Sequence, residues 1–290
     1  MRRNGRPYLS LVIPTRNEAD NVQSLVGGIC KALPGPTKEL VFVDDSDDAT
    51  PLLLQRILAQ ADCPGLVVQR SNGNRAGGLS TAVVRGFHTS SGEYICTMDA
   101  DLQHPTSAVP ALLEAAERRK ADVVVGSRYM QGGRAHDGFD GKARYLVSWG
   151  ARHVAHKVLE QARMTTDPLS GFFLVHRSVV EGVEMRPVGY KILLEVLVRG
   201  RWTRLVDVPY AFHSRNEGVS KATMREGLRF ARHVALLLSA ERDARRGGAL
   251  PEDRRRETAP APAVNGHRRG LPGRRRPAPV QEAVPAEGGE

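Results

Sequence analysis

Asp99, Asp101 and Gln103 stand at alternate positions in the stretch YICTMDADLQHP, Tyr94 to Pro105. Three oxygen donors so spaced suit a hard cation, Mg2+ or Mn2+, which fills the rest of its shell with phosphate oxygens and water. The chemistry this suggests is metal-assisted handling of a diphosphate. The triplet is short, and the same residues serve equally well to solvate a strand-to-helix turn, so the reading depends on its surroundings. His104 is expected not to ligate, because imidazole matches Mg2+ less well than oxygen does.

The apolar lead-in Ile95 to Met98 reads as a buried strand that delivers the triplet into the following loop. Leu9–Ile13, Leu40–Val43, Leu66–Gln69, Val123–Val125, Leu169–His176 and Leu205–Pro209 are further β-rich runs. Between them, apolar residues recur at helical spacing from Val22, Leu53, Leu79, Val109, Arg144 and Tyr190 onward. The alternation predicts an α/β fold, a mostly parallel sheet with helices on both faces. Such sheets bind ligands at the carboxyl ends of their strands, near a switch in strand order. Pro14 to Glu18, Asp44 with Asp45, and Asp99 to Gln103 all fall at such ends and are expected to share one crevice.

Beyond the sheet, Ser127 to Ala143 is rich in Gly, Arg and Asp and reads as a long functional loop. Asp167, just before Pro168, is expected to shape a turn. Arg225 to Leu238 places Phe230, Ala231, Val234, Leu237 and Leu238 on one helical face, with Arg225, Arg229 and Arg232 opposite. That helix is expected either to dock on the domain or to lie on a membrane. From Arg245 the chain is low-complexity Pro, Gly, Ala, Glu and Arg, and is expected to be disordered. The organisation is thus a folded domain over 1–222, an amphipathic helix over 223–244 and a basic tail over 245–290.

With 290 residues, 41% of them hydrophobic, the chain can bury a sizeable core. No apolar run reaches the length of a bilayer span, and the basic start lacks an apolar h-region, so a cytoplasmic protein is expected. Cys30, Cys63 and Cys96 have no metal-ligand spacing and read as buried small hydrophobes. The formal net charge of +10 favours anionic partners: nucleic acid, lipid headgroups or phosphorylated substrates. Nucleic acid is disfavoured, since the Arg254–Arg256 and Arg274–Arg276 blocks lie in a tail without aromatic residues to stack bases.

The segments IPTRNE, VDDSDDAT, NRAGGLSTAVVRGF, MDADLQHP, GSRY, SGF, GYKILLE and RNEGVSK occur in order between Leu9 and Lys221. As a set the chain resembles the polyprenol-phosphate (dolichol-phosphate) mannosyltransferases of the family 2 glycosyltransferases. The resemblance implies a GT-A, Rossmann-like sheet and a donor nucleotide held by Pro14, Arg16 and Glu18, with Val43 and Asp45 at the second strand end. It implies that Asp99, Ala100, Asp101 and Gln103 form the metal and diphosphate loop. Arg128, Arg144 with Ser148, Lys191, Arg215, Ser220 and Lys221 match phosphate and sugar contacts. Asp101, Arg128, Arg144 and Arg215 are the residues it puts nearest the chemistry. Arg16 stands where the family often has Tyr, and family members often add C-terminal transmembrane helices that this chain lacks.

The implied reaction is inverting transfer of mannose from GDP-mannose to a polyprenyl monophosphate, with Mg2+ or Mn2+ as cofactor. The implied setting is peripheral, at the inner face of the plasma membrane, with a separate membrane protein left open as a partner. A lipid phosphate is already an anion and needs no general base, only cationic positioning, which the plentiful Arg and Lys supply. UDP-glucose, another nucleotide sugar or a hydroxyl acceptor remains as an alternative, and a basic nucleic-acid-binding protein as a remote one.

Overall fold

In a computed structural model, residues 6–35, 37–71, 75–134, 142–213, 224–246 and 254–258 are described. The first half alternates strictly: β1 (Leu9–Thr15), α1 (Val22–Ala32), β2 (Lys38–Asp44), α2 (Thr50–Gln60), β3 (Gly65–Gln69), α3 (Leu79–Thr89) and β4 (Tyr94–Thr97). It continues with α4 (Val109–Arg119), β5 (Val123–Ser127), α5 (Lys142–Val158), β6 (Phe173–His176) and α6 (Ile192–Arg199). β7 (Arg204–Pro209), α7 (Met224–Arg246) and β8 (Arg255–Thr258) complete the described elements.

The strands form one sheet in the order β3-β2-β1-β4-β6-β5-β7-β8. All neighbours are parallel except β6, which runs antiparallel to both β4 and β5. β1 has β2 on one side and β4 on the other, so the strand order reverses there and a crevice opens at the carboxyl ends. Because β6 is reversed, the segment leading into it, Asp167 to Phe172, arrives at that same end.

Both faces of the sheet are covered, which explains why the strands read as continuous apolar runs. Leu11, Ile13, Leu40 and Phe42 face one core with α1 and α4, while Val12, Val41 and Val43 face the other with α3 and α6. Helix α3 approaches β1 so closely that a Cβ at Gly86 would lie 2.2 Å from Val12 Cγ1. A third cluster joins Ala155 and Leu159, Leu194 and Val198 of α6, and Val234 and Leu237 of α7.

Three sequence expectations change. Cys30 and Cys63, read as separate thiols, are joined as a disulfide with Cα atoms 6.2 Å apart, because α1 ends beside the link from α2 to β3. Cys96 remains a buried free thiol. Within the tail expected to be disordered, Arg255–Thr258 pairs with β7, whose outer edge is otherwise open. Arg254, just before it, donates to the Leu197 and Gly200 carbonyls and lies over the Trp202 ring. Helix α7 turns its apolar face to protein, but its composition differs from expectation. Ala231 is exposed, and His233 is buried in its place, 3.0 Å from Glu195 Oε1.

Candidate active site at the strand ends

The first two strand ends are stitched into one wall of the crevice. Thr15 and Ser46 hydroxyls both donate to Asp44 Oδ1 at 2.7 Å, and the Asn17 and Glu18 amides donate to Ser46 Oγ and Thr50 Oγ1. Asn17 adopts a left-handed φ of 58°, which Asn tolerates, and so turns the loop across to the second strand. Pro14 is buried, Arg16 exposed and Glu18 half-buried, with Asn21 donating to its carboxylate at 2.7 Å. Val43 lies fully in the core, so its side chain backs the crevice without lining it.

Asp45 is held by Arg70, whose Nε donates to Oδ1 at 2.7 Å while Nη2 reaches the other oxygen. Arg70 also bonds Thr81 Oγ1 and the Gly78 carbonyl, tying β2 to the start of α3. Arg75 similarly bonds Asp47 and the Ser46 carbonyl, and that contact holds the Asp47 carboxyl below its usual range. Neither arginine stood out in the sequence. The available signal was an Arg directly after a strand that neighbours an acidic strand end.

The fourth strand delivers the acidic triplet. Ala100 and Asp101 are buried, whereas the Asp99 side chain is 36% exposed. Asp101 Oδ1 accepts the Gln103 amide at 3.1 Å across Leu102, which takes a left-handed φ of 62°. The Gln103 side chain donates from Nε2 to the His213 carbonyl at 3.1 Å. His104 is a brace: its Nδ1 accepts the Asp99 backbone N–H at 3.0 Å and its ring stacks on Phe172. Burial pushes its pKa below the ordinary value, so it stays neutral and keeps that acceptor role.

Opposite, β5 ends in Ser127, and Arg128 follows it. Arg128 is 7% exposed and forked onto fully buried Asp167 at 2.7 and 2.9 Å. The turn expected at Asp167 is present, with its carbonyl accepting from Ser170 N–H, but the side chain's role is the grip on Arg128. Beneath the pair, buried Asp207 accepts Thr165 and Thr166 hydroxyls and the Thr166 amide. Lys191, at the entry to α6, donates to the Leu169 carbonyl at 3.3 Å and lies 4.5 Å from the Tyr190 ring centroid. Burial and the nearby Arg128 lower its pKa to about 8, against the pull of Asp167 and Asp99. Arg152, unmarked in the sequence, lies over the Tyr129 ring and donates to the Thr166 carbonyl at 2.9 Å.

The fold thus brings Asp99, Asp101, Gln103, Arg128 and Lys191 to one end of the sheet. Ser148 sits 3.4 Å from the Tyr129 hydroxyl. Arg144 belongs to helix α5, and Arg215, Ser220 and Lys221 lie outside the described residues. Among the described residues no three His, Cys, Asp or Glu side chains form a closed metal cluster. Two carboxylates and an amide oxygen nonetheless suit Mg2+ or Mn2+, ions that draw remaining ligands from phosphate and water.

A mostly parallel sheet with this acidic triplet at its switch point is the GT-A arrangement. Residues 10–183 match the family described as "Glycosyl transferase family 2", and the chain belongs to that family. It is 40% identical over 234 residues to the dolichol-phosphate mannosyltransferase of Pyrococcus furiosus, covering 80% of this chain and 64% of that one. The chain therefore spans a little under two thirds of that relative's length. Similarity to the dolichol-phosphate mannosyltransferase of Saccharomyces cerevisiae is 31% identity over 73% of this chain and 80% of that one. Among solved structures, glucosyl-3-phosphoglycerate synthase from Mycobacterium tuberculosis with Mn2+ and uridine diphosphate superposes with a TM-score of 0.60. It is 20% identical, covering 86% of this chain and 81% of that one.

Proposed function

We propose that the protein transfers mannose from GDP-mannose to a polyprenyl monophosphate, with inversion, to give a β-linked polyprenyl phosphate mannose. The observation that carries this reading is the way the acids and the imidazole around Arg128 are used. Asp167 is committed to Arg128, Asp207 to Thr165 and Thr166, and His104 to the Asp99 amide. None of these is placed to deprotonate a hydroxyl acceptor, whereas Arg128 and Lys191 supply positive charge for an anionic one. A phosphate oxygen attacks without a general base. The relatives' names add the sugar and the lipid.

In this reading the strand ends of β1 and β2 hold the nucleotide. Asp99, Asp101 and Gln103 would hold Mg2+ or Mn2+, which when bound would supply Lewis-acid neutralisation of the charge on the leaving nucleoside diphosphate. Lys191 and Arg128 orient the acceptor phosphate opposite that leaving group. The bond from the anomeric carbon to the diphosphate breaks with its electron pair leaving on GDP. A phosphate oxygen forms the new bond from the far face. In this reading the enzyme works as a peripheral protein at the inner face of the plasma membrane. Among the described residues no helix is long and apolar enough to cross a membrane.

The test is transfer by purified protein with Mg2+ or Mn2+, a short polyprenyl phosphate, and GDP-mannose or UDP-glucose offered separately. Transfer from GDP-mannose that EDTA stops, that gives a β-linked product by NMR, and that Asp101→Ala abolishes is expected. Transfer from UDP-glucose alone, or an α-linked product, overturns the reading.

A further inference from the structure

Helix α5 leaves Leu146, Val147 and Val154 exposed and turns its other side inward, where Ser148, Arg152 and Ala155 follow one another at helical spacing. Arg152 is the residue of that side with no role so far. Its guanidinium carbon lies 4.5 Å from the centroid of the Tyr129 ring, and that of Arg128 lies 5.5 Å from the same centroid. Two cations thus share one aromatic ring. The Tyr129 hydroxyl stands 3.4 Å from Ser148 Oγ, longer than an ordinary O–H···O bond, so neither hydroxyl satisfies the other and both can turn to a common acceptor.

The rest of Arg152 ties this corner to the grip on Arg128. Its Nη1 donates to the Thr166 carbonyl at 2.9 Å, and Thr166 Oγ1 lies 2.6 Å from Ser127 Oγ. Asp167, the next residue, holds Arg128. The two arginines differ in their compensation. Arg128 is matched by Asp167, whereas among the described residues no carboxylate pairs with Arg152, and its Nε is buried without a hydrogen-bond partner. A half-buried cation costs desolvation that an aliphatic side chain over Tyr129 would avoid. An anion bound beside Tyr129 and Ser148 supplies the missing compensation.

We infer that Arg152 is a positioning residue for the acceptor phosphate, pinning the Tyr129 ring so that the Tyr129 and Ser148 hydroxyls face that phosphate beside Arg128. The inference rests on the polyprenyl phosphate reading for the identity of the anion. Arg152 acts through the ring it covers: the stack fixes the ring plane, and the Thr166 contact fixes the guanidinium.

The experiment uses the full chain, Mn2+, GDP-mannose and a short water-soluble polyprenyl phosphate. Arg152→Met removes the charge and the Thr166 contact, and Arg152→Lys keeps the charge but loses the flat stack. Arg152→Met is expected to raise the acceptor KM roughly tenfold, with kcat and the KM for GDP-mannose little changed, and calorimetry is expected to show the same loss in binding of the polyprenyl phosphate. Arg152→Lys is expected to fall between, with a rise of roughly threefold. The route through the ring is read by a double-mutant cycle: the Arg152→Met effect is expected to persist in Tyr129→Phe and to vanish in Tyr129→Leu. An unchanged acceptor KM, an equal rise in KM for both substrates, or the same effect in Tyr129→Leu overturns the inference. So does failure of wild type to bind the polyprenyl phosphate. If Arg152→Met does not fold, Arg152→Lys decides, and a wild-type acceptor KM there overturns the inference. Wild-type binding that Arg152→Met weakens, without sugar transfer, removes the functional reading and leaves Arg152 its role at the phosphate.

Discussion

Asp167 and Arg128, 39 residues apart in sequence, meet through parallel contacts of 2.7 and 2.9 Å, and the Arg128 backbone amide adds a third at 3.2 Å. The carboxylate is fully buried and the guanidinium nearly so. Asp167 therefore sets the plane of the cation at the β5 side of the crevice. Burial acts against the charge on Arg128, but the charge and hydrogen bonds of Asp167 together with the nearby Tyr210 and Tyr129 raise its pKa above the ordinary value and hold it protonated at any working pH.

Removing one partner of such a pair leaves a buried charge uncompensated, at a cost of about 3–5 kcal/mol. Asp167→Asn is expected to lower the unfolding free energy extrapolated from urea denaturation by that amount. Arg128→Lys keeps the charge but loses the fork, so it is expected to keep more stability than Asp167→Asn while raising KM for the lipid phosphate. Chemical denaturation and steady-state kinetics read the two effects separately. Wild-type stability in Asp167→Asn would show that the pair contributes nothing net.

Lys191 makes the site sensitive to mild alkali. Its pKa of about 8 in the folded protein lies below the 10.5 of an ordinary lysine. Below pH 8 the folded state bears the full cost of a buried ammonium. Between pH 8 and 10.5 the unfolded chain holds a proton that the folded one lacks, so this group's contribution to stability rises with pH. If Lys191 orients the acceptor phosphate as proposed, activity is expected to move the other way, because a neutral amine does not attract phosphate. The kcat/KM profile is expected to fall with an apparent pKa near 8, and Lys191→Arg is expected to shift that limb upward. A limb unchanged in Lys191→Arg would assign it to another group.

The sheet was legible because each strand is an apolar run bounded by polar residues, and the strand-end acids follow from that. The reversal of β6 was not: Phe173–His176 is as apolar as its parallel neighbours, and nothing in the run itself encodes direction. Strand Arg255–Thr258 was hidden because its residues are polar, and its pairing is supplied by the open edge of β7. The cations at the strand ends were visible as residue types, but their partners were not. Arg70 with Asp45 and Arg128 with Asp167 are long-range pairs formed only once the strand ends converge. The apolar face of α5 was legible as periodicity but not as exposure, since a sequence does not say which side of a two-faced helix meets the core.

The disulfide lies where it should not touch chemistry. Cys30 is in the last turn of α1 and Cys63 precedes β3, and helices run against the parallel strands, so both sit at the end of the sheet opposite the crevice. Denatured without reductant, the protein is expected to show one reactive thiol, Cys96. Reduction, or Cys30→Ser/Cys63→Ser, is expected to lower stability by about 2–4 kcal/mol through the freed loop, with turnover at 25 °C unchanged. Three reactive thiols before reduction would refute the bridge.

Gly171 offers a way to disturb Asp99 without deleting a polar atom. A Cβ at this position would lie 3.1 Å from Asp99 Oδ2 and 3.4 Å from His104 Cε1, tighter than an ordinary contact on the carboxylate. Its φ is outside the left-handed region, so alanine carries no backbone penalty there. The partly exposed Asp99 side chain has room to rotate away, so Gly171→Ala is expected to change stability by only about 0.5 kcal/mol. The rotation would pull one carboxylate out of line with Asp101 and Gln103. Mn2+ affinity in the presence of GDP, read by calorimetry, is expected to drop roughly tenfold, the usual scale for displaced support of a metal ligand. Turnover should fall with it and recover in part at high Mn2+. Unchanged Mn2+ affinity at wild-type stability would remove Asp99 from the metal set and leave Asp101 and Gln103 as its protein donors.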